Sequence, residues 1–154
     1  MSVFFSDEQT MPVDGDSLRR FADVVIGAEG YPANTELSVL LVDETQMSEY
    51  NQHHMGRSGA TDVLAFPLED LIPGSPPKWL PGDPPVALGD VFLCPPEVER
   101  RARAENVPFD DFLHLLLAHG ILHLMGYDHD SDEDADRMER REDELLGGIG
   151  RSVS

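Results

Sequence analysis

Two periodicities divide the chain into strands and helices. Val3–Phe5 predicts a short first strand, and Glu36–Val42, with its run Val39-Leu40-Leu41-Val42, predicts a second. Between them Leu18, Phe21, Ala22, Val25 and Ile26 recur at helical spacing, which predicts a helix over Ser17–Ala28. Asp43 or Thr45 can cap a further helix running to about Met55. Asp62–Phe66 reads as a strand stopped by Pro67, and Val86–Cys94 as a strand with a bulge at Gly89. Between these strands Pro67–Pro85 holds seven prolines and two glycines, too many for regular structure, so a long loop is expected. Pro95-Pro96 opens a helix to about Asn106, with proline in the first turn where its missing N–H costs nothing. Phe109–Met125 is apolar nearly all round, the mark of a buried central helix. Asp132–Leu146 reads as an exposed, charged helix, and 147–154 as a flexible tail. The alternation of strands and helices predicts one small α/β (α+β) domain over 1–146, with a central mixed sheet of about four strands.

Composition narrows the partners. Apolar residues make up 40 % of 154, enough for one packed core. No apolar run is long enough to span a bilayer, and the first residues lack the basic-then-apolar pattern of a secretory signal. Cys94 is the only cysteine, which suits a reducing, cytoplasmic setting. Eleven Lys+Arg stand against 30 Asp+Glu, a formal charge of −19. Nucleic-acid binders need a basic footprint, so any RNA contact must use a local patch, a metal or a protein partner.

The chemistry concentrates in His119-Gly120-Ile121-Leu122-His123-Leu124-Met125-Gly126-Tyr127-Asp128-His129. His119 and His123 fall one turn apart on one helix face. Gly126 can take a left-handed backbone, end the helix and let His129 return as a third nitrogen ligand. Three imidazoles with an open fourth position describe a catalytic zinc site, and the same set suits nickel or copper. His114 is turned about 140° off the 119/123 face and reads as a packing residue. In metzincin peptidases a glutamate general base follows the first histidine; Gly120 holds that place here, which argues against peptide hydrolysis. Asp128 can accept the second ring N–H of a ligand and is a candidate catalytic residue. The acidic run Asp128–Asp136 has Glu133 where a calcium loop needs glycine, and reads as a dipole-favoured helix start.

The histidine segment resembles the defining motif of the YbeY family, single-strand-preferring bacterial endoribonucleases of rRNA maturation and ribosome quality control. Thr61-Asp62-Val63-Leu64-Ala65-Phe66-Pro67 is similar to the family's T-D-V-L-S-F-P, and Gly89-Asp90-Val91 to its G-D-I element. The resemblance implies one Zn2+ on His119, His123 and His129. It also implies a cleft for single-stranded RNA of an rRNA precursor (the 16S 3′ end), with the small ribosomal subunit and its proteins as partners. The arginine that many members carry just ahead of T-D-V is replaced by Met55, with Arg57 two residues later. Arg57 is therefore a candidate for catalysis and substrate binding, and Thr61 and Asp62 are candidates for substrate binding. Ala60 and Ala65 replace the usual proline and serine. Arg100, Arg101 and Arg103 with Arg19 and Arg20 are further basic groups, balanced by Glu97, Glu99 and Glu105. A ribosome-assembly factor with a mainly structural metal is the alternative reading, and a metallopeptidase-like hydrolase a third.

Overall fold

In a computed structural model, residues 3–147 are described. The expected tail lies, Gly147 apart, outside them. Four strands and five helices follow in the order β1 (Val3–Asp7), α1 (Gly15–Ala28), β2 (Glu36–Leu41), α2 (Glu44–Met55), β3 (Val63–Pro67), β4 (Ala87–Leu93), α3 (Pro95–Glu105), α4 (Phe109–Leu124), α5 (Asp132–Gly147). The sheet order is β1-β2-β4-β3, with β1 and β4 parallel to β2 and β3 antiparallel to β4. The α1 crossover returns the chain for a parallel pairing, whereas β3 and β4 are joined directly by the long loop.

Local chemistry sets the boundaries. Asp43 caps α2 in a capping box with Gln46. Pro67 ends β3 inside the ladder rather than before it. Leu68 N–H bonds the Leu88 carbonyl, so the alternate residue Pro67 turns its nitrogen outward from an edge strand. The bulge falls at Gly89: Glu36 pairs Ala87 but Leu37 pairs Gly89. Gly89 has φ +131°, and a Cβ there would stand 2.2 Å from the Phe66 carbonyl oxygen.

One face of the sheet carries the main core, in which Val39, Leu41, Val91 and Leu93 meet Val25 of α1 and Leu117 and Ile121 of α4. A smaller core under α2, with Met47, Leu64 and Phe92, covers part of the other face. Helix α4 touches β3, β4, α1, α3 and α5, which explains its apolar circumference. No helix of the described residues is long and apolar enough to cross a membrane.

Candidate metal centre and cleft

Helix α4 ends where the sequence predicts. Gly126, at φ +99°, donates to the His123 carbonyl, and Tyr127 N–H reaches back to Leu122. This is the Schellman arrangement, and it reverses the chain within two residues. Gly126 also permits a close approach: a Cβ there would lie 2.0 Å from the Leu71 carbonyl oxygen of the 67–85 loop. The reversal carries His129 back over α4.

The three rings form a nearly equilateral triangle. Their centroids are 5.9 Å apart for His119 and His123, 5.7 Å for His119 and His129, and 5.8 Å for His123 and His129. His119 and His123 are half-buried and His129 is exposed. His119 Nδ1 lies 2.7 Å from Glu142 Oε2, and His123 Nδ1 lies 2.7 Å from the Tyr127 carbonyl. A carboxylate and a carbonyl accept, so in the neutral imidazole each Nδ1 carries the proton and each Nε2 keeps a lone pair for a cation. As they stand, no group of three or more His, Cys, Asp or Glu among the described residues is drawn in closely enough to enclose an ion. With zinc–nitrogen bonds of 2.0–2.1 Å, a tetrahedral shell would place ring centroids about 5.2 Å apart, roughly half an ångström nearer than here. The donor chemistry thus fits a nitrogen-preferring divalent metal, and His129 is the exposed corner of the triangle.

His119 and His129 open onto a cleft of about 510 Å³. Its apolar wall includes Val63, Phe112, Leu116 and Met138, and its polar wall Arg57, Asp62, Arg101, Glu139 and Glu142. Arg57 therefore reaches the histidine cleft from the loop after α2. That loop is pinned by the buried Asn51, whose carbonyl accepts Arg57 N–H at 3.3 Å and whose Nδ2 donates to Gly59 O at 2.9 Å. Met55 ends α2 as an exposed side chain outside the cleft lining. Asp62 is buried and accepts from Arg101 Nη1 at 2.5 Å. Thr61, beside it, is half-buried and does not line the cleft.

Asp128 takes a different place from the one expected of it. It lines a smaller cavity with Tyr127, Asp134 and Arg137, and its Oδ1 accepts from Asp130 N–H, a turn-forming bond. The ring partners of His119 and His123 are Glu142 and the Tyr127 carbonyl instead. Glu142 escaped the sequence reading, although one signal exists. It occupies the buried stripe of α5 with Met138, Leu145 and Leu146, an acid at a core position. Beneath the chain reversal, the buried Glu29 accepts from Arg141 Nε at 2.7 Å and from the Tyr127 hydroxyl at 3.2 Å. Burial, with Glu29 beside it, pushes the Tyr127 hydroxyl above its usual pKa, so it remains a donor.

The other histidines lie elsewhere. His114 is buried, with Nδ1 against the Asp110 carbonyl and Nε2 3.0 Å from Ser17 Oγ. His53 and His54 are exposed on α2. Asp90 lies on the opposite sheet face, in a hollow with Phe4 and Leu68. Arg100 pairs with Glu44 and Glu97, and Arg103 with Glu99. Gly120 faces the sheet, where a Cβ would meet Val91 Cγ1 at 2.8 Å and Val63 Cγ2 at 3.5 Å. Gly120 carries no side chain, so the position after the first histidine offers no carboxylate base.

Residues 4–150 match the family model described as Endoribonuclease YbeY. A relative of that name from Thermobifida fusca is 39 % identical over 153 residues, covering 99 % of this chain and 97 % of its own. Another, from Acidothermus cellulolyticus, is 41 % identical over 148 residues, covering 95 % and 90 %. A Thermotoga maritima protein solved in solution superimposes with a TM-score of 0.62 at 27 % identity, covering 96 % of this chain and 91 % of that one. With a histidine cleft at its centre and these likenesses along nearly its whole length, the chain belongs to the YbeY endoribonuclease family.

Proposed function

We propose that this chain is a metal-dependent endoribonuclease that cuts single-stranded RNA in rRNA maturation, at the 16S 3′ end, and in ribosome quality control. Zinc is the proposed ion, held by His119, His123 and His129, and the small ribosomal subunit in the cytoplasm the proposed setting. The observation that carries the reading is the imidazole triangle, two of whose rings, His119 and His129, line a cleft that also holds Arg57. Family membership supports RNA as the substrate class.

A bound zinc would supply Lewis-acid charge at a phosphoryl oxygen. The chain's own residues do the rest. Glu142 and the Tyr127 carbonyl fix the tautomer and direction of two imidazoles. Among the described residues the Arg57 guanidinium has no carboxylate partner, so its planar fork is available to a phosphate. Phe112, Leu116 and Met138 form an apolar wall beside it.

The test is cleavage of a labelled single-stranded RNA by zinc-loaded protein and by a His119→Ala variant with an unchanged far-UV spectrum. Internal cuts by the first and none by the second are expected. Zinc-loaded protein that leaves RNA intact, yet binds the small ribosomal subunit, would overturn the nuclease reading and favour an assembly factor.

A further inference from the structure

Basic groups are scarce in this chain, and the fold uses most of those it describes against its own acids or carbonyls. Arg100, Arg103 and Arg141 pair with glutamates, and Arg137 donates to the Pro73 carbonyl. Two arginines line the histidine cleft, Arg57 and Arg101. Arg101 comes from the middle of α3, a helix that otherwise presents balanced charge.

Its setting differs from a surface pair. Nη1 bonds Asp62 Oδ2, whose side chain is only 8 % exposed, while the arginine side chain is 56 % exposed. The carboxylate therefore lies beneath and the guanidinium above. The Phe112 ring supports the same group, with Cζ 5.5 Å from its centroid. Nε meets Glu105 at 3.2 Å in an exposed i,i+4 pair, a kind that contributes little and yields readily to a better anion. Nη2, with two N–H donors, bonds neither carboxylate. Asp62 thus holds one edge of the fork and leaves another edge for a ligand.

We infer that Arg101 is a second phosphate-binding side chain of the cleft, and that Asp62 positions it rather than touching substrate. The inference rests on the RNA-cleaving reading above. A bare Asp62 carboxylate in the cleft wall would repel a phosphodiester strand; capped by Arg101, the same wall attracts one. Arg57 and Arg101 come from different elements, the loop after α2 and helix α3. A strand held by both must pass His119 and His129, which line the cleft with them.

The test is steady-state cleavage of a fluorescent single-stranded oligoribonucleotide by zinc-loaded full-length protein between 50 and 200 mM salt. Arg101→Ala should raise KM on the order of tenfold, with a smaller change in kcat. It should also lower the slope of log affinity against log salt by about 0.7, the release expected for one phosphate of a single strand. Arg101→Lys should keep the slope and recover part of the affinity, because charge remains while the fork is lost. Asp62→Asn should raise KM with the slope unchanged, since the cation stays but loses its aim. Should Arg101→Ala unfold in the urea control, Arg101→Gln carries the same expectation. A wild-type KM and salt slope in either neutral variant would overturn the inference while leaving the nuclease reading intact. Wild-type protein that cuts no RNA would remove both.

Discussion

Glu142 Oε2 and His119 Nδ1 stand 2.7 Å apart, joining helix α5 to the first histidine of the motif across 23 residues of sequence. The carboxylate is buried on the inner face of α5 while the half-buried ring borders the cleft, so the bond sets the direction of the ring at the cleft's edge. Outer partners of this kind typically contribute 10–100-fold to metal affinity. Glu142→Ala should therefore weaken zinc binding by roughly that factor, and Glu142→Gln by less, since the amide oxygen still accepts from Nδ1. Competition with a chromophoric chelator measures it. Unchanged affinity in the alanine variant would show that Glu142 serves only the packing of α5.

Much of this arrangement was legible in the primary structure, for identifiable reasons. Apolar periods, a cap at Asp43, the Pro95-Pro96 start and the charged run from Asp132 together located the nine described elements, and Gly89 and Gly126 marked a bulge and a reversal because a side chain on those backbones would meet a carbonyl. The convergence of His119, His123 and His129 followed from one helical turn plus that reversal. What lay beyond reach were contacts across elements. Glu142 looks like one more acid in an acidic helix until Met138, Leu145 and Leu146 are seen to share its face. Asp128 was the nearer carboxylate by sequence, yet the turn directs its Oδ1 to Asp130 N–H. Arg101 could not be separated from Arg100 and Arg103 without knowing that α3 lays one face over Asp62.

Gly120 sets the distance between α4 and the sheet. A methyl group there meets Val91 Cγ1 at 2.8 Å, so either the valine turns or the helix lifts. Overpacking of this kind costs about 1–3 kcal/mol. Gly120→Ala should lower the urea midpoint accordingly, and adding Val91→Ala should restore part of the loss. Additive costs in the double variant would place the strain elsewhere.

The ion pair of Arg141 with Glu29 secures the far side of the reversal. Glu29 is buried, and it accepts from both Arg141 and Tyr127. Glu29→Ala leaves Arg141 Nε and the Tyr127 hydroxyl without their acceptor, while Arg141 Nη2 keeps the Ala28 carbonyl; breaking a fully buried pair costs about 3–5 kcal/mol. Arg141 is a quarter exposed, so about 2–3 kcal/mol is the expectation here. Chemical denaturation measures it, and a cost within ~0.5 kcal/mol of zero would show that water replaces the pair.

Two buried acids set an alkaline limit. Burial pushes the Cys94 thiol up to about 11 from 9.0 and the Tyr31 hydroxyl up to about 12 from 10.0. Below about pH 8 both groups are neutral folded and unfolded, and they contribute no pH dependence. Between about 8 and 12 the unfolded chain releases protons that the folded chain retains, so stability falls as pH rises. Each two-unit displacement corresponds to at most about 2.7 kcal/mol. Denaturation midpoints should be flat in these two groups up to about pH 8 and decline from there to about 12. The Cys94 thiol should also resist a disulfide reagent at pH 8 until urea unfolds the chain. Rapid labelling of native protein would contradict the burial.

The three histidines should separate when stability and metal binding are measured together. Each ring supplies one corner of the triangle, so alanine at any of them should abolish stoichiometric zinc uptake. Their costs to the metal-free fold should differ, because the rings are anchored differently. His123 is half-buried and donates to the Tyr127 carbonyl at the reversal itself, so His123→Ala loses a hydrogen bond worth about 1 kcal/mol as well as packing. His119→Ala removes the partner of buried Glu142, leaving a carboxylate without its donor, a cost of about 1–3 kcal/mol. His129 is exposed, and its replacement should leave the metal-free midpoint within ~0.5 kcal/mol of wild type. Zinc at a hundred times its dissociation constant should then stabilise wild type by about 2.7 kcal/mol and His129→Ala hardly at all. Equal destabilisation by all three substitutions in metal-free protein would mean that His129 is held in the fold by contacts other than the ion. The exposed corner would then be part of a rigid cup, with no inward movement left for it to make.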